Sequence, residues 1–454
     1  MNWNNIYSHK RSENDPAYDS GPRSEYQIDF DRLIFSSGFR RLQNKTQVFP
    51  LPGNTFVHNR LTHSLEVASV GRSLGKIVGS VIADKNDLTD EAEHFYRYEL
   101  SNVIAAACLA HDIGNPAFGH SGEKAISHYF IEAADTLIEG QKLKSYFDEA
   151  QWKDISNFEG NANAFRILTH QFKGKSEGGL KLTYSTLAAI LKYPCESVAM
   201  NKHDIHRKKY GFFQTEKETF RKISRSVGMI EDEANPIAFK RHPFVYLTEA
   251  ADDICYRVID MEDAQRLGIL PASKVEEYFL DLIADFGNVE NTQKRLNDLQ
   301  DKNERIGYLR ARSINVLITQ AVRIFTENME AISRGAYNNG LIDDLQKESA
   351  ALQDIQDMSI DLIYNHETVM EIEIAGYNVM SNLLGLMIPA MLKSNPNHKD
   401  KKVIRLIPRQ FMPPEGASPY RKVMAVLDYV SGMTDGYATD LYRKAFGIEI
   451  PKHQ

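Results

Sequence analysis

The sequence predicts an all-α fold, a large helical body with few or no strands, and three observations carry that prediction. From Asp29 onward, apolar residues recur mainly at helical spacing. Runs that alternate apolar and polar with period two are few. The long stretch 271–357 has few breakers and alternating charges, as expected of successive helices. The expected organisation is an extended N-terminal arm over 1–25 and a single α-helical domain over 26–454.

The elements follow in chain order. Residues 1–25 are rich in Asn, Ser, Asp and Pro, which gives the arm. FDRLIFSSGFRRLQ spaces Leu33, Phe35 and Phe39 among charges. TQVFPLPG, residues 46–53, reads as a short hairpin or loop. LTHSLEVASVGRSLGKIVGSVI puts Leu65, Ala68, Leu74, Ile77 and Val78 on one stripe. SNVIAAACLAHD is apolar nearly all round, so it belongs at the centre. Residues 120–150 and 178–193 add further helix. FVYLTEAADDICYRVIDMEDAQRLG makes a helix of several turns, stopped at Gly268. ETVMEIEIAGYNVMSNLLGLMIPAML is another apolar helix, and Lys393 to Arg409 is a basic, Pro-containing connector. YRKVMAVLDYVSGMTDGYATDLYRKAFG closes the chain with one or two helices. No repeat of 20–50 residues stands out.

The totals exclude some classes. A formal charge of −7, from 54 basic and 61 acidic residues, argues against nucleic-acid binding through bulk charge. Local basic stretches at 202–209 and 393–409 leave a narrower interaction open. Cys108, Cys195 and Cys255 are far apart and form no CxxC, so a disulfide framework or zinc–thiolate site is not expected. The polar N-terminus has no signal-like core, and no uninterrupted apolar run reaches the roughly 18 residues that span a bilayer. A cytoplasmic protein with no membrane partner is the expectation.

Chemistry concentrates at AHDIGNPAFGH, residues 110–120. His111 and Asp112 end a buried-looking helix, and Gly114-Asn115-Pro116 stops it there. Both side chains are able to ligate a divalent cation. The pair taken alone fits equally well a histidine on the helix dipole followed by a capping aspartate. His63, in HNRLTHSLEV, is a second imidazole on a helix, and a lone one is more often structural. In EAADDICYRVID two carboxylates interrupt an apolar helix, which is costly unless they are paired or bound to metal. Asp252, Tyr256 and Asp260 fall at i, i+4 and i+8 and share one face, whereas Asp253 points about 100° away. Asp252 is therefore the expected ligand, Tyr256 and Asp260 its neighbours on the cavity, and Asp253 a solvent-facing or supporting carboxylate. The set His63, His111, Asp112 and Asp252 suits Mn²⁺, Fe²⁺, Zn²⁺, Co²⁺ or Ni²⁺ better than Ca²⁺. It lacks the thiolates of a closed structural zinc site.

With these residues in place, the H…HD…D pattern resembles the HD-domain phosphohydrolase superfamily. RLTHSLEV, AHDIGNPAFGHSGE, FEGNANAFR, YLTEAADDICY and DYVSGMTDGYA are similar, in order, to the deoxyguanosine triphosphate triphosphohydrolases, from residue 60 to residue 438. The resemblance implies metal-dependent hydrolysis of dGTP, with other dNTPs as further substrates. The scissile bond lies between the 5′ oxygen and the α-phosphorus. Deoxynucleoside and inorganic triphosphate leave, and dNTP pools are controlled. It implies Mn²⁺ or Mg²⁺ as the working ion, Arg60 on the α-phosphate, and His120 with Glu123 as the catalytic pair at the leaving oxygen. It implies Asn161, Lys192, Tyr193 and Lys209 along the phosphate and sugar pocket, Tyr256 under the deoxyribose, and Gln43 toward the base or sugar. It also implies a homo-oligomer, tetramer or hexamer, and a nucleotide or single-stranded DNA effector. No GxxxxGK[ST] loop is present, since GRSLGK at 71–76 has the wrong spacing. A triphosphate must then be gripped by side chains and metal. Pro116-Ala117 stands where the family often has two prolines, and 271–360 matches no motif. The alternatives are an HD phosphohydrolase for another nucleotide and a catalytically weak nucleotide- or strand-binding regulator.

Overall fold

A computed structural model describes residues 1–12, 22–49, 57–175 and 178–449. The helices that matter for the site are α1 (Glu25–Ile34), α2 (Arg60–Lys85), α3 (Leu100–Ala110), α4 (Gly119–Glu132), α5 (Gly160–Thr169), α6 (Tyr184–Ile190) and α7 (Val245–Arg266). They are followed by α8 (Ala272–Phe286), α9 (Lys302–Glu327), α10 (Ala350–Met358), α11 (Glu367–Leu392), α12 (Pro419–Ser431) and α13 (Asp435–Ala445). Among the described residues, strands are confined to two antiparallel hairpins, Leu137–Ile138 with Gln141–Lys142 and Glu231–Ala234 with Ile237–Phe239. The fold is all-α, as the sequence predicts.

α3 is the axis of the molecule, and every residue from Val103 to Ala110 is buried. α2 lies against it along Gly71, Gly75 and Gly79, one residue per turn on one face. A Cβ on Gly79 would stand 2.1 Å from the Tyr96 carbonyl oxygen, and one on Gly71 would stand 2.4 Å from Cys108 Sγ. Only glycine lets the two backbones come this close. The seam fixes the start of α2 against the end of α3, and so fixes His63 against His111.

Two apolar clusters fill the interior. The larger gathers α1, α2, α3, α7, α8, α9 and α10, with Leu74, Ile104, Leu247 and Phe279 fully buried. The smaller gathers α4, α11, α12 and α13 around Phe130, Leu384 and Leu427. The arm is tied down: Trp3 and Ile6 are buried, and the Tyr96 hydroxyl donates to the Trp3 carbonyl at 2.6 Å. Arg11 pairs with Glu25 at 2.8 Å and with Asp29.

Several expectations shift. On α2, Ala68, Leu74 and Val78 are buried, but Leu65 and Ile77 are each 43% exposed. The glycine seam, not the bulky residues, faces α3 and rotates those two outward. The 120–150 stretch is interrupted by the first hairpin, and in 178–193 only Tyr184–Ile190 is helical. The 393–409 connector contains a helix, His398–Leu406, started by a reciprocal capping box between Asn397 and Asp400. In TQVFPLPG, Thr46 bridges to Asn59, while residues 50–53 lie outside the described residues. Gly268, at φ +75°, follows the end of α7 as its sequence position requires. α11 is long and apolar enough by composition to cross a bilayer, but half of its apolar window is buried inside this fold.

Candidate metal centre and substrate cavity

α3 ends at Ala110, and His111 caps it. Its Nδ1 bonds the Cys108 carbonyl at 2.6 Å, which turns Nε2 the other way. Nε2 then stands 3.4 Å from Asp252 Oδ1 and 3.6 Å from Asp112 Oδ1. It is buried and has no hydrogen-bond partner. His63 stands one turn into α2, behind the Asn59 cap, with Nε2 3.0 Å from Asp252 Oδ1. Ligand atoms of His63, His111 and Asp112 all lie within 4.8 Å of one another. Asp252 reaches in from the middle of α7. Three helices thus deliver two imidazoles and two carboxylates to one point. A buried imidazole nitrogen without a partner, facing carboxylate oxygens, fits a divalent cation.

The electrostatics favour positive charge at that point. Burial pushes the Asp252 carboxyl up, but His111 and His63 outweigh it and hold it well below the usual range. Burial likewise opposes ionisation of Asp112, and Arg60 and His111 reverse the effect. The Arg60 guanidinium, buried at the first turn of α2, donates to Asp112 Oδ2 at 2.7 Å, while its Nε has no partner.

The cluster opens into a cavity of about 530 Å³. Among its walls are Arg60, His111, Asp112, His120, Glu123, Asn161, Lys192, Tyr193, Lys209, Asp252 and Tyr256. His63 sits behind the cluster, 2% exposed. His120 Nδ1 is 2.9 Å from Glu123 Oε2, and the other Glu123 oxygen accepts from the Gly160 amide at 2.8 Å. Burial works against the Glu123 charge, but His120 and Lys209 keep its pKa below the usual value. The ring of His120 is 67% exposed and turned toward the cavity.

The two lysines Lys192 and Lys209 of the wall each have a carboxylate. Lys192 Nζ is 3.0 Å from Glu249, and Lys209 Nζ is 2.9 Å from Glu159, which also accepts from Asn161 at 2.7 Å. Arg241, fully buried, braces this side. It donates to Glu249 at 2.7 Å and to the Lys192 carbonyl at 2.9 Å. The basic run 202–209 divides accordingly. Lys209 lines the cavity, while His206 and Arg207 pair with Asp232 and Glu233 of the second hairpin.

Three positions differ from the sequence expectation. Gln43 is exposed in a short turn after Arg41 and does not line the cavity. Gln47, four residues on, does, and donates to the Tyr256 hydroxyl at 3.1 Å. The local turn Leu42–Asn44, invisible to helical periodicity, moves the chain around before Gln47 arrives. Asp260 shares the α7 face but is not a cavity wall. It lies buried behind Tyr364, whose hydroxyl donates to it at 2.7 Å, and burial pushes it up to about 8. Asp253 does line the cavity, where burial pushes it up to about 7.

Sequence reasoning also missed Asn115, Glu159, Arg241, Glu249 and Tyr364. Asn115 donates to Asp112, and the buried Lys45 ammonium holds the Asn115 carbonyl. Glu159 and Asn115 stand inside motifs already noted, so proximity to the ligands was the available signal. Arg241 and Glu249 form an Arg/Glu pair eight residues apart, a spacing that carries no signal across a helix start.

Comparison with known proteins gives the family. Residues 60–190 match the HD domain, and residues 345–444 match a phosphohydrolase-associated domain. The chain is 37% identical over 99% of its length, and the whole of the relative's, to a deoxyguanosinetriphosphate triphosphohydrolase-like protein of Synechocystis. It is 35% identical over the same shares to a similarly named protein of Pseudomonas aeruginosa. It is 29% identical, over 95% of this chain and 96% of the relative, to the deoxyguanosinetriphosphate triphosphohydrolase of Yersinia enterocolitica. An intact HD ligand set inside a full-length match leaves one assignment: the chain belongs to the deoxyguanosinetriphosphate triphosphohydrolase family of HD-domain phosphohydrolases.

Proposed function

We propose that the protein hydrolyses dGTP, and other dNTPs to a lesser degree, to deoxynucleoside and inorganic triphosphate. The observation that carries this reading is the adjacency of two unlike groups in one cavity. One is a buried His/His/Asp/Asp cluster in which an imidazole nitrogen faces two carboxylates without a hydrogen bond, and the other is a solvent-facing His–Glu pair. His63, His111, Asp112 and Asp252 would hold the ion, with Mn²⁺ or Mg²⁺ the expected choice. A divalent cation there supplies Lewis acidity toward phosphoryl oxygen and water.

The chain's own residues do the rest. Arg60, already on Asp112 and with a spare Nε, would grip the α-phosphate. His120 would carry the proton to the leaving 5′ oxygen, and Glu123 would hold its ring in place. Lys192, Lys209 and Asn161 would exchange their present carboxylate partners for phosphate oxygens. Tyr256, fixed by Gln47, would pack under the sugar, leaving no room for a 2′ hydroxyl. The exposed apolar side chains Ile360, Leu362, Met370 and Ile374 support a homo-oligomer. A cytoplasmic role in limiting dNTP pools follows from the substrate.

Purified protein incubated with dGTP and Mn²⁺ or Mg²⁺ should release triphosphate and deoxyguanosine. Release of pyrophosphate and dGMP would refute this cleavage position. Turnover of monophosphates without dNTPs would refute the substrate. Salt-dependent single-strand binding without hydrolysis under any divalent metal would favour a regulator.

A further inference from the structure

The segment DYVSGMTDGYA has no part in the chemistry assigned so far, yet Asp435 within it holds two residues of the cavity wall, Phe118 and Thr46. It opens α13, after the Thr434 cap, where the helix dipole favours a negative charge. It is buried, and its two oxygens serve two different loops. Oδ1 accepts from the Phe118 amide at 2.9 Å, and Oδ2 accepts from the Thr46 amide at 2.8 Å.

Both loops end in cavity side chains. Phe118 immediately precedes α4, whose first turn carries His120. Its φ is +62°, left-handed backbone that a phenylalanine adopts only when something holds it there. One hold is the ring, packed so tightly on α11 that a Cβ on Gly376 would stand 2.5 Å from it. The other is the Asp435 carboxylate. Thr46 immediately precedes Gln47, which fixes Tyr256. The His120 side chain is 67% exposed and is held by Glu123, so its place depends on the backbone that carries it.

We propose that Asp435 is a positioning residue: it clasps the Phe118 and Thr46 backbones together and so sets His120 across the cavity from Gln47 and Tyr256. This rests on the reading of His120 as the leaving-group acid. A displacement of about 1 Å in such a group costs on the order of 100-fold in rate. Asp435→Asn keeps one acceptor oxygen and turns an NH₂ toward the other amide.

The test uses the full-length, metal-loaded chain and D435N. Turnover of dGTP by the D435N variant should fall about 30-fold in kcat, with KM within about threefold and metal content unchanged. In an H120A background D435N should cost less than about threefold, because the group it positions is gone. Amide exchange should rise together in the peptides around Thr46 and Phe118. Equal factors in both backgrounds, or loss of metal, would overturn the inference, and so would unchanged exchange at both amides. If the wild type turns over no dNTP, the substrate reading fails by itself, and the exchange measurement still decides whether Asp435 clasps the two loops.

Discussion

The two ends of the cavity are built by opposite means. At the proposed metal end, His63, His111 and Asp252 come from α2, the end of α3 and α7, and their helices are locked by the glycine seam and by core packing. Two of the four side chains there have partners that fix their orientation: Cys108 for His111, and Arg60 and Asn115 for Asp112. At the proposed leaving-group end, His120 is mostly exposed and stands on the first turn of a helix entered through left-handed backbone. Helix packing sets one end, and hydrogen bonds to loop backbone set the other. The first should fail by losing its ion and the second by losing rate while keeping the ion.

The largest effect belongs to the metal end. His111→Ala removes the imidazole whose Nε2 faces both carboxylates of the cluster, and leaves Asp112 and Asp252 facing each other with less compensation. Metal content by elemental analysis should drop to background, and turnover should fall by on the order of 10³-fold or more. Chelation of the wild type should reproduce the loss and be reversed by added Mn²⁺. Next comes His120→Ala, which should leave metal content at the wild-type level and cost about 10²–10⁴ in kcat. Equal metal loss in the two variants would erase the distinction between the ends.

The same contrast decides what could be read from the sequence. The clustering of His63, His111, Asp112 and Asp252 was legible because these residues are unusual where they stand: an HD doublet stopping an apolar helix, and carboxylates inside α7. Helical spacing also gave the common face of Asp252 and Tyr256. It misplaced Asp260, because spacing gives a direction on α7 and not which neighbour, here Tyr364, stands between that face and the cavity. The family resemblance pointed to Gln43, and the turn of three residues that brings Gln47 to the cavity instead leaves no periodic trace in the sequence. The apolar stripe of α2 was misread at Leu65 and Ile77 for a related reason. Small residues, which hydrophobic pattern underweights, decide which face meets α3. What the loops do, through Asp435, Gly160 and Glu159, depends on contacts between residues far apart in the chain.

A smaller effect should come from Gly160→Ala, where the two ends meet. A Cβ there would stand 2.4 Å from Asn115 Oδ1 and 2.4 Å from Glu123 Oε1. Asn115 serves Asp112 of the metal end, and Glu123 serves His120. The methyl must push one of them. If the loop end is the softer, Glu123 gives way: kcat falls about 10- to 100-fold, stability drops about 1–3 kcal/mol, and metal content holds. If metal is lost instead, the metal end is the softer and the comparison is inverted.

The smallest effect is on stability alone and probes how the metal end is braced. His58, just ahead of α2, has Nδ1 2.7 Å from Asp263 and Nε2 3.2 Å from Glu66. It therefore ties the entry of α2 to α7, the two helices that supply His63 and Asp252. Burial lowers its pKa, but the hydrogen bonds to Asp263 and Glu66 outweigh burial and lift it to about 10. In the unfolded chain it titrates near about 6.5. A group whose pKa is raised on folding stabilises fully below the unfolded value and loses that contribution as pH climbs through the folded value. The melting temperature of the wild type should therefore decline between about pH 6.5 and pH 10 more steeply than that of His58→Gln. At pH 6 the variant should melt several degrees below the wild type, and the two curves should converge near pH 10. Parallel curves across that range would show that His58 does not carry its charge in the folded protein and that packing alone joins α2 to α7.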